Sequence, residues 1–198
     1  MDRPMVAVLA AGLSTRFGGN KLETKCLGKP LGRWVLDAAQ DAGLGPGVIV
    51  TGPQGVSFAN RWWTPLINPR PEDGLGSSLA IAARHALAAD APALVVLLAD
   101  MPLVFPAFLK ILASSRPPAA TYYLDGHLGV PALLDRQLIA VAAQLSGDRG
   151  LGPLLAGATS LPAESLLRDV DTPEDLVEVE RMLTIRSLGH APGSPFGL

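Results

Sequence analysis

The hydrophobic positions in the first half of the chain fall into short apolar runs, each followed by a glycine-bearing loop and then a longer stretch rich in alanine and leucine. Met5 to Ala10, Gly47 to Thr51, Pro65 to Asn68 and Ala93 to Leu98 show little polar alternation and are too short for helices. Strands covered by helices on both faces have this pattern, whereas a strand with one wet face alternates. Leu31 to Ala42, Leu75 to Ala89 and Pro106 to Ala113 predict the helices between or after them. Strands alternating with helices imply a parallel sheet with right-handed crossovers, whose ligands bind at the carboxyl ends of the strands. The loops at Ala11 to Lys21 and Asp100 to Leu103 both fall at that end. Beyond residue 117 the pattern loosens. Strands are expected at Ala119 to Leu124 and Val130 to Leu134, helices from Asp135 and from Leu151, and a final helix from Pro173 to about Arg186. One domain over 1–186 followed by a mobile tail, 187–198, is the expected organisation, since the tail's Gly, Pro and Ser lack periodicity.

Composition narrows the function. With 198 residues, 48% apolar and 17% charged, the chain can bury a substantial core and is far from disordered composition. Its net charge of -2 and scattered 16 Lys and Arg provide no general basic field, so nucleic acid is not an expected partner and any polyphosphate needs a local site. The single cysteine, Cys26, excludes an internal disulfide. Val6 to Ala11 is too short for the core of a secretory signal, and every apolar run is interrupted before the roughly 20 residues that span a bilayer. A soluble, cytoplasmic protein with no membrane partner is expected. His85, His127 and His190 have no zinc-ligand spacing, and no serine sits in a G-x-S-x-G elbow.

The segment after the first strand, Leu9-Ala10-Ala11-Gly12-Leu13-Ser14-Thr15-Arg16-Phe17-Gly18-Gly19-Asn20-Lys21, carries the strongest chemical signal. Its small residues let backbone N–H groups approach a triphosphate, and Arg16 and Lys21 supply compensating charge. It matches neither the G-x-G-x-x-G dinucleotide fingerprint nor the G-x-x-x-x-G-K-[ST] P-loop. Asp100, in Leu97-Leu98-Ala99-Asp100-Met101-Pro102, ends a buried strand opposite that loop. A magnesium ion takes one or two carboxylates together with phosphate oxygens, so Asp100 suits it, although a residue before Pro102 can also simply cap a helix. Ser77 and Ser78 fall in the first turn of a helix, where they can hold an anion or only cap. In Asp169-Val170-Asp171-Thr172-Pro173-Glu174-Asp175, Thr172 and Pro173 are a ready-made helix start that needs no functional explanation. Trp62-Trp63 reads as core or interface rather than a stacking platform.

The Ala11 to Lys21 loop, followed by Gly28-Lys29-Pro30-Leu31, resembles the signature of nucleotidyltransferases with the GT-A-like fold. The resemblance continues through Gly74 to Leu79, Ala99 to Pro102, Gly129-Val130-Pro131, Gly147 to Gly150 and Asp169 to Asp175. Leu9-Ala10-Ala11-Gly12 is similar to the molybdenum cofactor cytidylyltransferases, within the family like molybdopterin-guanine dinucleotide biosynthesis protein A; the related guanylyltransferases usually carry two glycines there. The resemblance implies a single three-layer α/β/α domain with a mostly parallel sheet, the Rossmann-related fold of nucleotide-diphospho-sugar transferases. It implies transfer of CMP from CTP to the phosphate of molybdopterin or molybdenum cofactor, with Mg2+ as cofactor and a molybdoenzyme as client. Arg16, Lys21 and Asp100 would be catalytic. Leu9, Ala10, Ala11, Gly12, Ser14, Thr15, Arg16, Lys21, Gly76, Ser77 and Asp100 would bind nucleotide, and Asp100 and Asp171 the metal. The chain departs from the cytidylyltransferase pattern at Val130, where histidine is common, and at Leu151-Gly152, where Ala-Arg is common. Both departures lie on the acceptor side. GTP as donor, another phosphorylated acceptor such as methylerythritol phosphate, and a non-catalytic delivery role remain the alternatives.

Overall fold

The structure is a computed structural model and describes residues 3–147, 150–162 and 167–189. A seven-stranded sheet runs in the order β5-β4-β1-β6-β8-β7-β9. Its strands are β1 (Met5–Ala10), β4 (Gly47–Thr51), β5 (Trp63–Ile67), β6 (Ala93–Leu98), β7 (Ala119–Tyr122), β8 (Leu128–Asp135) and β9 (Thr159–Pro162). Two further strands, β2 (Lys25–Cys26) and β3 (Lys29–Pro30), form a small antiparallel hairpin. The helices are α1 (Leu31–Asp41), α2 (Leu75–Ala88), α3 (Pro106–Ser114), α4 (Arg136–Ala142) and α5 (Pro173–Gly189).

β1 explains why the central strands read as continuous apolar runs. Val6, Val8 and Ala10 enter the core shared with α1 and α3, while Ala7 and Leu9 enter the opposite core shared with α2 and α4. Both pleat faces are thus covered, and alternation has no polar side to display. β6 divides the same way, with Ala93, Val95 and Leu97 on one face and Leu94 and Val96 on the other. The resulting α/β/α layering and the parallel pairings of β1 with β4 and β6, and of β4 with β5, are those expected.

The second half differs from expectation in three places. β8 runs antiparallel between β6 and β7, because β7 returns through the 123–127 turn rather than a helix. The segment from Leu151 forms a 3-10 turn over Gly152–Leu155 in place of a helix. Gly152-Pro153 at its start and Gly157 at φ 83° beyond it leave too few residues for repeated α-helical hydrogen bonds. The final helix continues to Gly189, past Arg186, so residues 187–189 are helical and 190–198 of the expected tail lie outside the described residues. Strand β5 also starts earlier than expected, at Trp63, and stops before Asn68. No described helix is long and apolar enough to cross a membrane.

Candidate functional site

The carboxyl ends of β1 and β6 are tied together by the hydrogen bond from Ala99 N–H to the Leu9 carbonyl, at 3.0 Å. One residue further, the Asp100 carbonyl accepts from Val170 N–H at 2.9 Å, which draws the 169–171 segment across the same edge. Val170 is buried with Leu103 and Val179 of α5, so an apolar anchor fixes the two aspartates that flank it. Asp171 and Asp100 thereby meet although they lie far apart in sequence.

Lys21 joins them. Its ammonium donates to Asp100 Oδ2 at 2.9 Å and to Asp171 Oδ1 at 3.2 Å, with only 8% of its side chain exposed. Burial alone lowers a lysine pKa, but here the two carboxylates outweigh it and raise the pKa above its ordinary value, so the ammonium is charged at neutral pH. Burial pushes the Asp100 carboxyl up, and Asp169 adds to the rise, against the pull of Lys21. Asp100 Oδ1 is buried without a described hydrogen-bond partner. Arg16 pairs with the other side of Asp171 at 2.8 Å and is itself largely exposed. Four groups named from the sequence, Arg16, Lys21, Asp100 and Asp171, therefore form one alternating charged chain.

The loop between β1 and Lys21 is shaped by left-handed backbone at Ser14, Gly18, Gly19 and Asn20. Phe17 and Gly19 donate to the Ser14 carbonyl, which folds the loop on itself. The N–H groups of Gly12, Leu13 and Ser14 have no described partner. They border a cleft of about 310 Å3 whose wall also includes Lys21, Gln54 and Pro71. A Cβ on Gly12 would meet no protein atom within 4 Å, so a side chain there would occupy cleft space. Ala10, Ala11 and Ser14 line this cleft; Leu9 is buried in the α2-side core beneath it, and Thr15 opens the 3-10 turn that carries Arg16. Glu23 closes one side by accepting from Ser57 N–H and Oγ–H at 2.6 Å each.

Gly76 and Ser77 are held differently. Gly76 N–H donates to the Gly147 carbonyl at 3.0 Å. The Ser77 hydroxyl donates to the Gly74 carbonyl at 2.7 Å and accepts from the buried Asn68 amide at 2.8 Å, while Ser78 accepts from the same amide at 2.9 Å. These groups stiffen the β5–α2 connection and do not line the cleft. The expectation for Gly147 to Gly150 falls partly on Asp148 and Arg149, which lie outside the described residues.

Asp100 does not cap α3, whose N-cap is Phe105. Thr172 does begin α5 as expected: Asp175 N–H donates to Thr172 Oγ1 at 3.2 Å, and Asp175 Oδ2 accepts from Thr172 N–H at 2.9 Å, a reciprocal capping box. The capping of α5 and the ion pairs of Asp171 thus coexist. The sequence reading missed Glu23, Asn68 and Gln54, because single polar residues in loops carry no spacing signal. It also missed Tyr123, whose hydroxyl donates to the Val130 carbonyl and whose ring stacks on His127 at 4.6 Å. Burial and the charges of Asp169 and Asp100 raise the Tyr123 pKa. Trp63 is core, as expected, and Trp62 is partly exposed. Among the described residues no three His, Cys, Asp or Glu side chains gather into a metal-ligand cluster.

The chain is 29% identical to the purine catabolism protein PucB of Bacillus subtilis (strain 168) over 198 aligned residues, covering 89% of this chain and 95% of the relative. A nucleotidyl transferase from Methanothermobacter thermautotroptrophicus, Mth528, superposes with a TM-score of 0.77 at 19% identity, over 94% of this chain and all of the other, 100%. Rv0371c from Mycobacterium tuberculosis H37Rv, solved in complex with manganese, superposes with a TM-score of 0.69 at 22% identity, over 91% of this chain and 99% of the other. These superpositions identify the fold. The model of the MobA-like NTP transferase domain matches residues 6–164, and with the α/β/α sheet and its glycine-lined cleft this places the chain in the MobA-like NTP transferase family.

Proposed function

We propose that the chain is a magnesium-dependent cytidylyltransferase that moves CMP from CTP to the terminal phosphate of molybdopterin or molybdenum cofactor. The observation that carries this reading is Lys21 held between Asp100 and Asp171 at the edge of the Gly12-lined cleft. The N–H groups of Gly12 to Ser14, which have no partner among the described residues, would cradle the triphosphate, with Leu9, Ala10, Ala11 and Thr15 shaping the loop. Gly76 and Ser77 would act at one remove, by setting the β5–α2 connection through Asn68.

Asp100 and Asp171 fit a hard divalent cation: both offer oxygen, and Asp100 Oδ1 is buried with a lone pair no described group uses. Asp100 and Asp171 would hold Mg2+, which when bound would supply positive charge against the triphosphate. The solved manganese complex of the Rv0371c fold relative supports a divalent ion in this family. Lys21 would leave the carboxylates for the triphosphate when nucleotide arrives, and Arg16, largely exposed, can swing from Asp171 to the same phosphates. The acceptor phosphate forms a bond to the α-phosphorus, the α–β bridging bond breaks, and its electron pair leaves on pyrophosphate. With a second pKa of about 6 the acceptor phosphate is already ionised at neutral pH, so no general base is needed. Positioning and charge neutralisation provide the catalysis.

Two observations favour another acceptor or donor. Val130 stands where cytidylyltransferases commonly have histidine, and PucB is named for purine catabolism. GTP as donor, methylerythritol phosphate as acceptor, or delivery of the cofactor to a client enzyme would keep the same cleft. Pyrophosphate release measured with CTP, GTP, ATP and UTP against molybdopterin, molybdenum cofactor and methylerythritol phosphate tests the reading. Activity confined to CTP with a pterin is the expected result; release from another pair replaces the substrates, and no release from any pair rejects the transferase reading for these acceptors.

A further inference from the structure

One charged group of the cleft has no part in the chemistry proposed above. Lys21 and Glu23 are the charged residues of its lining, and a bare carboxylate facing a triphosphate would repel it. Glu23 is not bare. Its Oε1 accepts from Ser57 N–H and its Oε2 from Ser57 Oγ–H, each at 2.6 Å, so one carboxylate makes two charge-assisted bonds to one residue. Residues 20–23 form one wall of the cleft and 52–56 another, and Ser57 directly follows the second.

Both sides of this clamp hang on the first turn of α1. Glu23 ends the 3-10 turn Lys21–Glu23, and the next residue, Thr24, accepts from Leu31 N–H at 2.8 Å. On the other side the buried Phe58 packs its ring on Gly32, where a Cβ would come within 2.3 Å of it, and the Phe58 carbonyl accepts from Arg33 at 3.2 Å. Between β4 and Ser57 the wall is a turn. Gly55 takes φ 68° and donates to the Gly52 carbonyl at 3.0 Å, and Pro53 and Gln54 at its tip are exposed. Among the described residues, Glu23 is the one side chain that ties the 52–57 segment to the 20–23 wall by hydrogen bonds.

The two ends of the cleft differ. Lys21 directs its ammonium to Asp100 and Asp171, whereas the 52–56 wall and Pro71 are uncharged. Phosphates suit the first end and a base the second. A volume of about 310 Å3 is at the small end for a ligand pocket, so the position of the wall decides how large a ring fits.

We propose that the Glu23–Ser57 clamp determines donor specificity: by fixing the 52–56 wall it holds the cleft to the width of a one-ring base, and its loss admits a two-ring base. Glu23 acts through Ser57 and is a positioning residue. Calling the occupant a base rests on the nucleotide reading above.

Calorimetric titration of wild type, Glu23→Ala, Glu23→Gln and Ser57→Ala with CTP, GTP and tripolyphosphate provides the test. Glutamine can keep the clamp, its carbonyl accepting from Ser57 N–H and its amide donating to Ser57 Oγ, while it loses the charge just as alanine does. An effect of charge alone is therefore common to both Glu23 variants and appears with tripolyphosphate. Wild type should bind CTP more tightly than GTP. Glu23→Ala should lower that preference about tenfold and Ser57→Ala, which keeps the N–H bond, about threefold, the scale of one or two lost hydrogen bonds. Glu23→Gln should stay within about twofold of wild type. Equal binding of CTP and GTP to wild type overturns the proposal, as does binding of neither. An unchanged preference in Glu23→Ala, or the same loss in Glu23→Gln as in Glu23→Ala, also overturns it. Should Glu23→Ala not fold, an unchanged preference in Ser57→Ala, an exposed position, decides against the clamp. Pyrophosphate release by wild type is scored separately: its absence rejects the transferase reading, while the nucleotide preference in these titrations still decides the clamp.

Discussion

Strands β1, β4, β5 and β6 bring their carboxyl ends to the Gly-rich loop, the 52–57 loop and Asp100, whereas β7 and β8 reach the same edge through the hairpin turn at 123–127. In the first region polar groups are paired over long distances: Lys21 with Asp100 is separated by 79 positions and Lys21 with Asp171 by 150. In the hairpin, partners are near neighbours, His127 with Asp125 and Tyr123 with the Val130 carbonyl. Long-range ion pairs at a strand edge must be assembled by the whole fold, while the hairpin satisfies itself. The parallel half therefore concentrates the charge available for chemistry, and the hairpin provides shape.

The largest expected effect sharpens this contrast. Lys21→Ala and Asp100→Asn should each lower pyrophosphate release by about 10²-fold or more, on the scale of losing one preorganised electrostatic contact. Asp125→Asn, whose partner is exposed and two residues away, should change it less than about threefold. Near-normal turnover of either first-region variant would refute its proposed role, and a hundredfold loss in Asp125→Asn would break the comparison. Asp171→Asn should fall between, at about tenfold. Asp171 is more exposed than Lys21, and the change removes one charged contact of the several Lys21 and Arg16 can make.

Below the site the contrast should vanish, because the core on each face of the sheet runs without a break from the parallel strands to β8. Leu94 of β6 and Leu133 of β8 are both fully buried and in adjacent strands. Truncating either to alanine should cost about 2–5 kcal/mol in denaturant unfolding, in a single transition. Leu124 in the hairpin turn is 86% exposed, and its alanine variant should lie within about 0.5 kcal/mol of wild type. Two separate transitions in Leu133→Ala would show that the halves fold as distinct units.

The same contrast explains what was legible in the sequence. β1, β4 and β6 begin and end at the residues expected, since burial on both faces gives apolar runs with sharp ends. Arg16, Lys21 and Asp100 were legible as candidates, and the structure brings them into one ion-paired cluster, because charge beside small residues at a strand end has few structural explanations. Asp171 was ambiguous, since Thr172 and Asp175 account for the helix start unaided, and only the Val170 anchor brings it to Lys21. β2, β3 and β9 were not legible: they span two to four residues and gain their pairing from tertiary context. Nor could any sequence pattern show that the Asn68 amide donates to Ser77 and Ser78, which ties those hydroxyls to the β5–α2 connection.

The smallest effect concerns a charged cluster in the parallel half but away from the cleft. Asp37 of α1 accepts from Lys29 Nζ and Arg33 Nε, each at 2.6 Å, and Lys29 also lies 3.8 Å from the centre of the Trp34 ring. Burial acts to raise the Asp37 pKa, but the two hydrogen-bonded cations outweigh it and hold the carboxyl below its ordinary value of 3.8. A carboxyl with a lower pKa folded than unfolded stabilises the protein above the unfolded pKa, and that contribution is lost as pH falls from about 4 through the folded value. The side chains are about one-third exposed, so screening limits the effect to about 0.5–1 kcal/mol at neutral pH. Denaturant unfolding of wild type and Asp37→Asn should show that gap from pH 7 to pH 5, narrowing below pH 4 and shrinking in 1 M salt. The contact differs from Lys21 with Asp100 in one respect that the measurement isolates. Its partners are sequence neighbours on α1 and the β3 hairpin, so if the gap is absent at pH 7, local ion pairing contributes nothing to this fold and charge matters only where distant segments converge.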